Sequence, residues 1–534
     1  MAREKGRRKK LAALLVCVLL VGFTLTGPGW AAGDAAQPDQ IVLSWTADPQ
    51  TSQTVAWRMS GTAGKVQYMK ESEKTADFSG AQEKEAIGVA LYDGYNHFEA
   101  ELDNLQPGTA YAYRVGADGC WSEASTFSTA AATDNFSFMY MGDVQMGYEA
   151  WGQLLQSACA AYPELKFAMQ CGDLVDETKD SGQWSDFFSA AAGVFDRIPL
   201  MPALGNHENE DPTLYFKSFA LPQNGPAGLR EHFYSYDYGN AHFVVLDSNR
   251  MGNDDAAQAG IDWLESDLQS SAKEWKFVMF HHPPYGVNSG NSGDDEKAAM
   301  MQEKWVPVME RNGVDMVFVG HQHMYMRTYP LREGQVKNMP SEGITYLMGN
   351  AGTKNYINSE AHDYIAKVFE GDDGCNEYTV ISIDGGVLTM TTRNAAGSVL
   401  DEYKINKSGA MDSRVTVSSV KLLNSESEAI PSVSAGGYCR LQARLNNNTG
   451  GRQTATAVLQ VRAGEGAAVD CGGEPLGIVS LQADVPASGA DVYADFKIPD
   501  LPAGRAYVDV YVFDEGGMPI DLPYQQFSFT ITSD

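Results

Sequence analysis

The sequence has few cysteines and few basic residues for its length, and both shortages exclude classes of protein. Seven cysteines in 534 residues are too few for a disulfide-stabilised scaffold. Lysine and arginine total 39 against 69 acidic residues, a formal net charge of −30, so the chain lacks the basic surface that binding of a nucleic-acid polymer requires. Hydrophobic residues are plentiful at 43%, which is enough for most of the chain to fold.

Long hydrophobic runs are also missing, apart from one near the N-terminus. Six basic residues lie within the first ten positions, and an apolar run at 11–25 and small residues up to Ala36 follow them. This order is typical of a secretory signal peptide. We predict a signal peptide at 1–31 and a secreted or cell-surface protein without stable membrane insertion after cleavage. The alternative is that the apolar segment is kept as an anchor. Export permits disulfides, and Cys439 with Cys471 is the first pair to test.

Strand and helix patterns divide the rest of the chain into three parts. Short alternating runs over 38–130 predict a β-sandwich, in which Tyr111 or Tyr113 forms a tyrosine corner. Strands alternate with helices over 134–405, including one helix expected around 297–311, and this alternation is typical of layered α/β folds. Short strands return over 411–534 and predict a second sandwich, an accessory domain. The predicted fold class is α/β flanked by two all-β sandwiches.

Side chains that bind metals follow five strands of the middle part. The carboxyl ends of strands are where an open α/β sheet places its site. Carboxylate, amide and imidazole groups suit Fe, Mn or Zn, and two such ions would give an acidic protein a local positive charge that attracts phosphate. Five such blocks in order predict two divalent metal ions. The blocks are Gly142-Asp143-Val144-Gln145, Gly172-Asp173, Gly205-Asn206-His207, His281-His282 and Gly320-His321-Gln322-His323.

This set of blocks resembles the calcineurin-like metallophosphoesterases, and within them the purple acid phosphatase-like branch. The first sandwich, through Leu105-Gln106-Pro107-Gly108-Thr109-Ala110-Tyr111, is similar to the fibronectin-III-like domain that precedes the catalytic domain in that branch. The resemblance implies a layered αββα catalytic domain with two metals. Metal 1 would be held by Asp143, Gln145, Asp173 and His323, and metal 2 by Asp173, Asn206, His281 and His321.

The resemblance also implies hydrolysis of a small-molecule phosphate ester by a hydroxide that bridges the metals. His207 would contact the phosphate and protonate the leaving oxygen. His281 is the preferred ligand of the adjacent pair, and His282 would support the ligands, contact substrate or itself be a ligand. Arg327 would either clamp a phosphate oxygen or form a structural salt bridge. An acid phosphatase-like phosphomonoesterase is expected. The alternatives are a phosphodiesterase or nucleotidase with the same site, and a cell-surface binding protein with a non-catalytic domain, whose C-terminal sandwich contacts a cell surface or glycan.

Two positions depart from the family pattern. Asp176 stands where the purple enzymes have the tyrosinate that binds ferric iron, so a colourless enzyme with a divalent metal pair is expected. Gln145 stands where many relatives have histidine. Because an amide oxygen is a neutral and weaker ligand, metal site 1 is expected to hold its ion less tightly.

Overall fold

The computed structural model describes residues 37–533, apart from segments at 253, 288–291, 338–339, 358, 372–375, 408–414, 448–450, 464–474, 501 and 514–523. The predicted signal peptide and Cys471 lie outside the described residues, so the cleavage and the disulfide stay predictions. Across the described residues, no helix combines the length and the apolar character that crossing a membrane requires.

The first part of the chain forms a sandwich of two antiparallel sheets. One sheet has the strand order β1-β2-β6-β5 and the other β4-β3-β7-β8, with β9 also paired to β7. Trp57 stacks on Phe98 inside, with ring centroids 5.4 Å apart. The strands are β1 (Asp39–Ser44), β2 (Gln53–Ser60), β3 (Ala63–Lys70), β4 (Gln82–Ile87), β5 (Val89–Ala90), β6 (Tyr95–Leu102), β7 (Ala110–Ala117), β8 (Cys120–Trp121) and β9 (Ser125–Ser128).

Two tyrosines on β7 have different partners. The Tyr111 hydroxyl accepts a hydrogen bond from the backbone N–H of Gln106 at 2.9 Å, which is the geometry of a tyrosine corner. The Tyr113 hydroxyl donates to the carbonyl oxygen of Asp196 at 2.7 Å. Tyr111 therefore forms the corner, and Tyr113 joins the sandwich to the middle part of the chain.

Two sheets face each other in the middle part. Their strand orders are β12-β11-β10-β22-β23-β24 and β13-β14-β15-β16-β20-β17-β21. Phe138 of the first sheet meets Phe243 of the second edge-on, with ring centroids 5.2 Å apart. The strands are β10 (Asn135–Met141), β11 (Leu165–Gln170), β12 (Leu200–Pro202), β13 (Tyr234–Tyr238), β14 (Ala241–Val245), β15 (Trp275–Met279), β16 (Met316–Val319), β17 (Tyr325–Thr328), the small pair β18 (Leu331–Arg332) and β19 (Gln335–Val336), β20 (Thr345–Met348), β21 (Ile365–Phe369), β22 (Glu377–Asp384), β23 (Val387–Asn394) and β24 (Val399–Asn406).

Helices cover the two sheets. Trp151 of α1 stacks on Phe187 of α2, both in the core of the first sheet, and Leu264 of α5 and Trp305 beside α7 pack with Val278 of the second sheet. The helix expected around 297–311 is two helices, because the chain breaks at Trp305 just before Pro307, which has no N–H for a helix interior. The helices are α1 (Tyr148–Ala161), α2 (Ser181–Ala190), α3 (Asn206–Asn209), α4 (Thr213–Phe216), α5 (Asp254–Ser270), α6 (Ser292–Lys304) and α7 (Val306–Arg311).

The last part of the chain is a second sandwich, so the predicted fold class is confirmed. Its sheets have the orders β25-β27-β30 and β26-β32-β31-β28-β29. Apolar residues that alternate along the strands fill the interior, and buried Cys439 lies among them. The strands are β25 (Val415–Leu423), β26 (Ser432–Ser434), β27 (Tyr438–Asn447), β28 (Gln453–Ala463), β29 (Pro475–Val485), β30 (Ala490–Lys497), β31 (Gly504–Phe513) and β32 (Tyr524–Thr532).

Candidate metal centre

The five predicted blocks come together at one edge of the two facing sheets. β10, β11 and β12 are parallel in the first sheet, and β14, β15, β16 and β20 are parallel in the second. Each block follows the carboxyl end of one of these strands, so the loops meet where the two sheets present the same end.

Asp143, Asp173 and His323 form the first group of candidate ligands. One ligand atom from each lies within 4.8 Å of the others, and His323 Nε2 is 3.2 Å from Asp143 Oδ2. All three side chains are buried. These are three of the four residues expected at metal 1.

Asp173, His281 and His321 form the second group, and Asn206 joins it. Asn206 Oδ1 lies 3.0 Å from His281 Nε2 and 2.9 Å from His321 Nδ1. His281 Nε2 is 3.2 Å from Asp173 Oδ2. These are the four residues expected at metal 2. Asp173 belongs to both groups, which is the position that a bridging carboxylate needs.

The tautomer of His281 is fixed by the backbone. Its Nδ1 is 2.8 Å from the carbonyl oxygen of Cys171, an acceptor, so Nδ1 carries the proton. When the ring is neutral, as a metal ligand must be, its lone pair is on Nε2, which faces Asp173 and Asn206. Proteins commonly orient a metal-binding histidine through a hydrogen bond from its second ring nitrogen.

Four predicted ligands occupy the left-handed region of backbone conformation, which residues other than glycine rarely adopt. The φ angles are +40° for Gln145, +50° for Asp173, +74° for His321 and +48° for His323. Each such residue costs about 1–3 kcal/mol, and strain of this kind clusters at functional sites.

Two glycines allow the ligand loops to close over the carboxylates. A Cβ atom on Gly205 would collide with Asp173 Oδ1, and one on Gly320 would collide with Asp143 Oδ1. The same two oxygens accept the backbone N–H groups of His207 at 3.0 Å and His321 at 2.8 Å. Glycine is therefore required here for close approach.

The charges in the cluster favour the ionised form of Asp173. Burial alone would raise the pKa of Asp173, but His281 and His207 outweigh it and hold that pKa below its usual range. Burial alone would lower the pKa of His281, and the carboxylates of Asp173 and Asp143 instead raise it. A bound cation would take over the role that the protonated imidazole plays toward Asp173.

Glu208 is a further buried carboxylate, which supports the Asp173 loop. It accepts backbone hydrogen bonds from Asp173 and Gly205 through Oε2 and from Leu174 through Oε1, at 2.8–3.0 Å. Burial and the charge of Asp173 raise the pKa of Glu208. Its role is to hold two ligand loops together.

Gln145 lies in the cluster, between Asp173 and a lysine. Its Nε2 donates to Asp173 Oδ2 at 2.5 Å, and its Oε1 accepts from Lys354 Nζ at 2.9 Å. The amide oxygen thus faces the lysine, and coordination of metal 1 by Gln145 stays a prediction.

His282 packs behind the ligands. Its Nε2 accepts from Lys297 Nζ at 2.8 Å, and its Nδ1 is 2.8 Å from Ser248 Oγ. Its ring centroid is 4.4 Å from that of His321. Burial lowers the pKa of His282 well below its ordinary value, so the ring is neutral. With both nitrogens engaged and the side chain buried, His282 is placed to support His321.

His207 is the most exposed of the site histidines that the sequence predicts. Its Nδ1 is 2.5 Å from the carbonyl oxygen of Asp176, so Nδ1–H donates there. Its Nε2 is 3.9 Å from Asp173 Oδ2, and its side chain is 25% exposed. Nε2 is therefore the atom that can meet a substrate.

Of the two alternatives for Arg327, the structure shows the salt bridge and no phosphate clamp. Arg327 is buried, its Nε donates to Asp401 Oδ2 at 2.6 Å, and its guanidinium lies over the Tyr403 ring at 4.3 Å. The partner carboxylate also accepts from the Tyr325 hydroxyl at 2.8 Å. A guanidinium committed to a buried carboxylate is a structural ion pair, the other reading of the sequence.

The donor set fits a pair of divalent cations. Buried Asp143 Oδ2 has no hydrogen-bond partner in the described part of the chain, although it lies 3.2 Å from His323 Nε2. A buried carboxylate oxygen without a proton donor is costly unless a cation completes it. Two carboxylates, an amide and three imidazoles are donors for borderline and hard divalent metals.

Carboxylate, amide and imidazole side chains from two facing sheets surround a shared aspartate. The fold and this site define the class of the protein, a metal-dependent phosphoric ester hydrolase. Two family models match the chain: purple acid phosphatase, N-terminal domain, over residues 38–129, and calcineurin-like phosphoesterase over residues 136–325. The chain therefore contains a calcineurin-like phosphoesterase domain of the purple acid phosphatase-like branch, and that family implies a dinuclear metal site.

Individual relatives agree with this placement. Purple acid phosphatase 18 of Arabidopsis thaliana is 26% identical over 337 residues, 61% of this chain and 74% of the relative. Acid phosphatase type 7 of Homo sapiens is 28% identical over 388 residues, 64% of this chain and 84% of the relative. The purple acid phosphatase PPD1 structure from yellow lupin shares the fold with a TM-score of 0.58 at 17% identity, over 69% of this chain and 74% of that one.

Three residues of the site were missed from the sequence: Glu208, Lys297 and Lys354. Lys354 had a signal, because Gly349-Asn350 follows β20 as the other blocks follow their strands, and Asn350 forms a bridge with Asp143. Glu208 directly follows a predicted block, but the sequence alone does not show that its carboxylate is buried. Lys297 lies in a helix with no local motif.

Proposed function

We propose that the protein is an exported phosphomonoesterase whose two divalent ions, Fe, Mn or Zn, are held by the residues of the two ligand groups. The observation that carries this proposal is that Asp173 is shared by both groups. Asp143 and His323 would complete metal 1, with Gln145 as a further ligand, and Asn206, His281 and His321 would complete metal 2.

Bound ions of this kind lower the pKa of water and offset the charge on phosphoryl oxygens. The protein's own groups then prepare the site. The backbone N–H groups of His207 and His321 hold one oxygen of Asp173 and of Asp143, so the second oxygen of each carboxylate is directed inward. Glu208 fixes the Asp173 loop, and the Cys171 carbonyl fixes the His281 ring. Because these groups are already in place, they need not reorganise during the reaction.

His207 is proposed to protonate the leaving oxygen. The Asp176 carbonyl accepts Nδ1–H at 2.5 Å and keeps the ring in one orientation. Nε2 is then the position where a proton is held and released toward the ester oxygen, which is general acid catalysis.

The experiment that tests this function measures metal content together with hydrolysis of p-nitrophenyl phosphate and bis(p-nitrophenyl) phosphate. We expect about two divalent ions per chain and a higher kcat/KM for the monoester. A higher kcat/KM for the diester would favour a phosphodiesterase or nucleotidase. Protein that binds no metal and hydrolyses neither ester would favour a non-catalytic binding protein.

Export and an accessory role for the second sandwich belong to the same proposal. The basic and apolar N-terminal segment would direct secretion, and the C-terminal sandwich would contact a cell surface or glycan. Recovery of protein that begins near residue 32 from culture medium would support export, and retention of the first 31 residues in a membrane fraction would contradict it.

A further inference from the structure

Two lysines that the family motifs do not include each contact a different residue of the ligand cluster or its surroundings. Lys354 contacts Gln145 beside Asp143 and His323, and Lys297 contacts His282 beside His281 and His321. Both side chains are partly buried. Lysine side chains at the surface of an acidic protein normally form ion pairs with carboxylates. A lysine beside the site that forms no such pair is a candidate for binding an anion.

Neither lysine has such a partner. Among the described residues, no ion pair within 4.0 Å joins either ammonium to a carboxylate, and Asp294, Asp247 and Asp173 attract Lys297 from a longer distance. Acidic residues outnumber basic ones in this chain by 30. An ammonium that is partly desolvated and donates to a neutral amide or imidazole can also bind an anion.

The loop that carries Lys354 is fixed against the ligands. The backbone N–H of Gly352 donates to the carbonyl oxygen of Asp143 at 2.7 Å, and Asn350 Nδ2 donates to the carbonyl oxygen of Lys354 at 2.7 Å. Tyr356 stacks on His323 with ring centroids 4.8 Å apart. The position of the ammonium is therefore built into the site.

Lys297 is fixed through His282. Helix α6 brings it to His282 Nε2, and Ser248 Oγ holds the opposite nitrogen of that ring. The His282 ring lies 5.1 Å from His281 and 4.4 Å from His321, centroid to centroid. Lys297 therefore lies near the second group of candidate ligands, which contains His281 and His321.

We propose that Lys354 and Lys297 bind the non-bridging oxygens of the substrate phosphate and make the centre selective for monoester dianions. The proposal rests on the proposed phosphoesterase function and names its substrate class. A phosphate monoester loses its second proton at about pH 6, whereas a diester carries one negative charge. Each added positive charge therefore attracts the monoester about twice as strongly as the diester.

The test uses the metal-loaded full chain and compares Lys354→Met and Lys297→Met with Lys166→Met, an exposed lysine on β11. Binding of inorganic phosphate is measured by calorimetry. Losing a hydrogen bond to a charged group should weaken phosphate binding about ten- to a hundredfold in each site variant and leave the control unchanged. Phosphate affinity that is unchanged in both site variants would overturn the proposal.

A second readout is the ratio of kcat/KM for p-nitrophenyl phosphate to that for bis(p-nitrophenyl) phosphate. This ratio does not depend on the fraction of protein that folds or carries metal. It should fall about tenfold in the methionine variants and stay within about threefold of wild type in Lys354→Arg, which keeps the charge. Equal losses for both esters would contradict the proposal. If wild type hydrolyses neither ester, the proposed function is wrong, and the phosphate titration still decides the role of the lysines.

Discussion

The backbone N–H of His321 donates a hydrogen bond to Asp143 Oδ1 at 2.8 Å, across 178 residues of chain. The contact joins the first ligand block, on one sheet, to the last, on the other. Because each ligand group takes side chains from both sheets, the face-to-face packing of the sheets brings the members of each group together. The aromatic layer around Phe138 and Phe243 is therefore part of what builds the centre.

Replacing His207 with glutamine should lower kcat by about 10²- to 10⁴-fold, because the general acid is lost. The loss should be greater for phenyl phosphate than for p-nitrophenyl phosphate, whose better leaving group needs less protonation. Steady-state kinetics with both esters gives the measurement, and unchanged metal content is the control. Equal losses for the two esters would show that His207 does not protonate the leaving group.

The metal-loaded enzyme should be colourless. By the resemblance to the purple enzymes, a tyrosinate that binds iron would stand at position 176, where this chain has aspartate. The carbonyl oxygen of Asp176 accepts a hydrogen bond from His207. Absorbance spectra of wild type and Asp176→Tyr, each loaded with iron, test this. A visible band in wild type would contradict the expectation, and a band that arises only with tyrosine would support it.

Replacing Arg327 with methionine should lower the free energy of unfolding by about 3–5 kcal/mol, because it leaves Asp401 buried without its partner. The monoester kcat/KM of the folded fraction should be unchanged. Denaturant unfolding is the measurement. The matched control is Arg311→Met, which removes an ion pair whose arginine is 53% exposed and should cost less than about 1 kcal/mol. A lower substrate affinity in a fully stable Arg327 variant would contradict this account.

Stability should fall as the pH rises above neutral, through His242. Burial alone would lower the pKa of His242, but hydrogen bonds at 2.7 Å to Asp237 and 2.8 Å to Asp267 raise it to about 9, with Lys273 also near Asp237. A raised folded-state pKa stabilises the fold fully below pH 6.5 and loses that contribution as the pH passes 9. The gain is up to about 3 kcal/mol.

Unfolding of wild type and His242→Gln at a series of pH values checks this. The stability difference between them should be largest at pH 6 and should shrink above pH 9. A difference that is the same at both ends of the range would show that His242 does not titrate in this way.

The sequence was sufficient for the parts of the site that depend on local pattern. A ligand at the end of a strand is a local feature, so Asp143, Asp173, Asn206, His281, His321 and His323 could be named before their positions were known. The partner of Arg327 could not, because Asp401 is 74 residues away and lies on the other sheet, so only the packing of the two sheets brings it close. Lys297 and Lys354 depend in the same way on how a helix and a loop return to the ligands.

The proposed function requires that two metal ions share Asp173 in a hydrolytic centre. Metal content per chain, measured by mass spectrometry on wild type and Asp173→Ala, tests it most directly when p-nitrophenyl phosphate hydrolysis is followed on the same samples. We predict two divalent ions and turnover in wild type, and loss of both ions and nearly all turnover in the variant. An Asp173→Ala protein that keeps both ions and full activity would contradict the account.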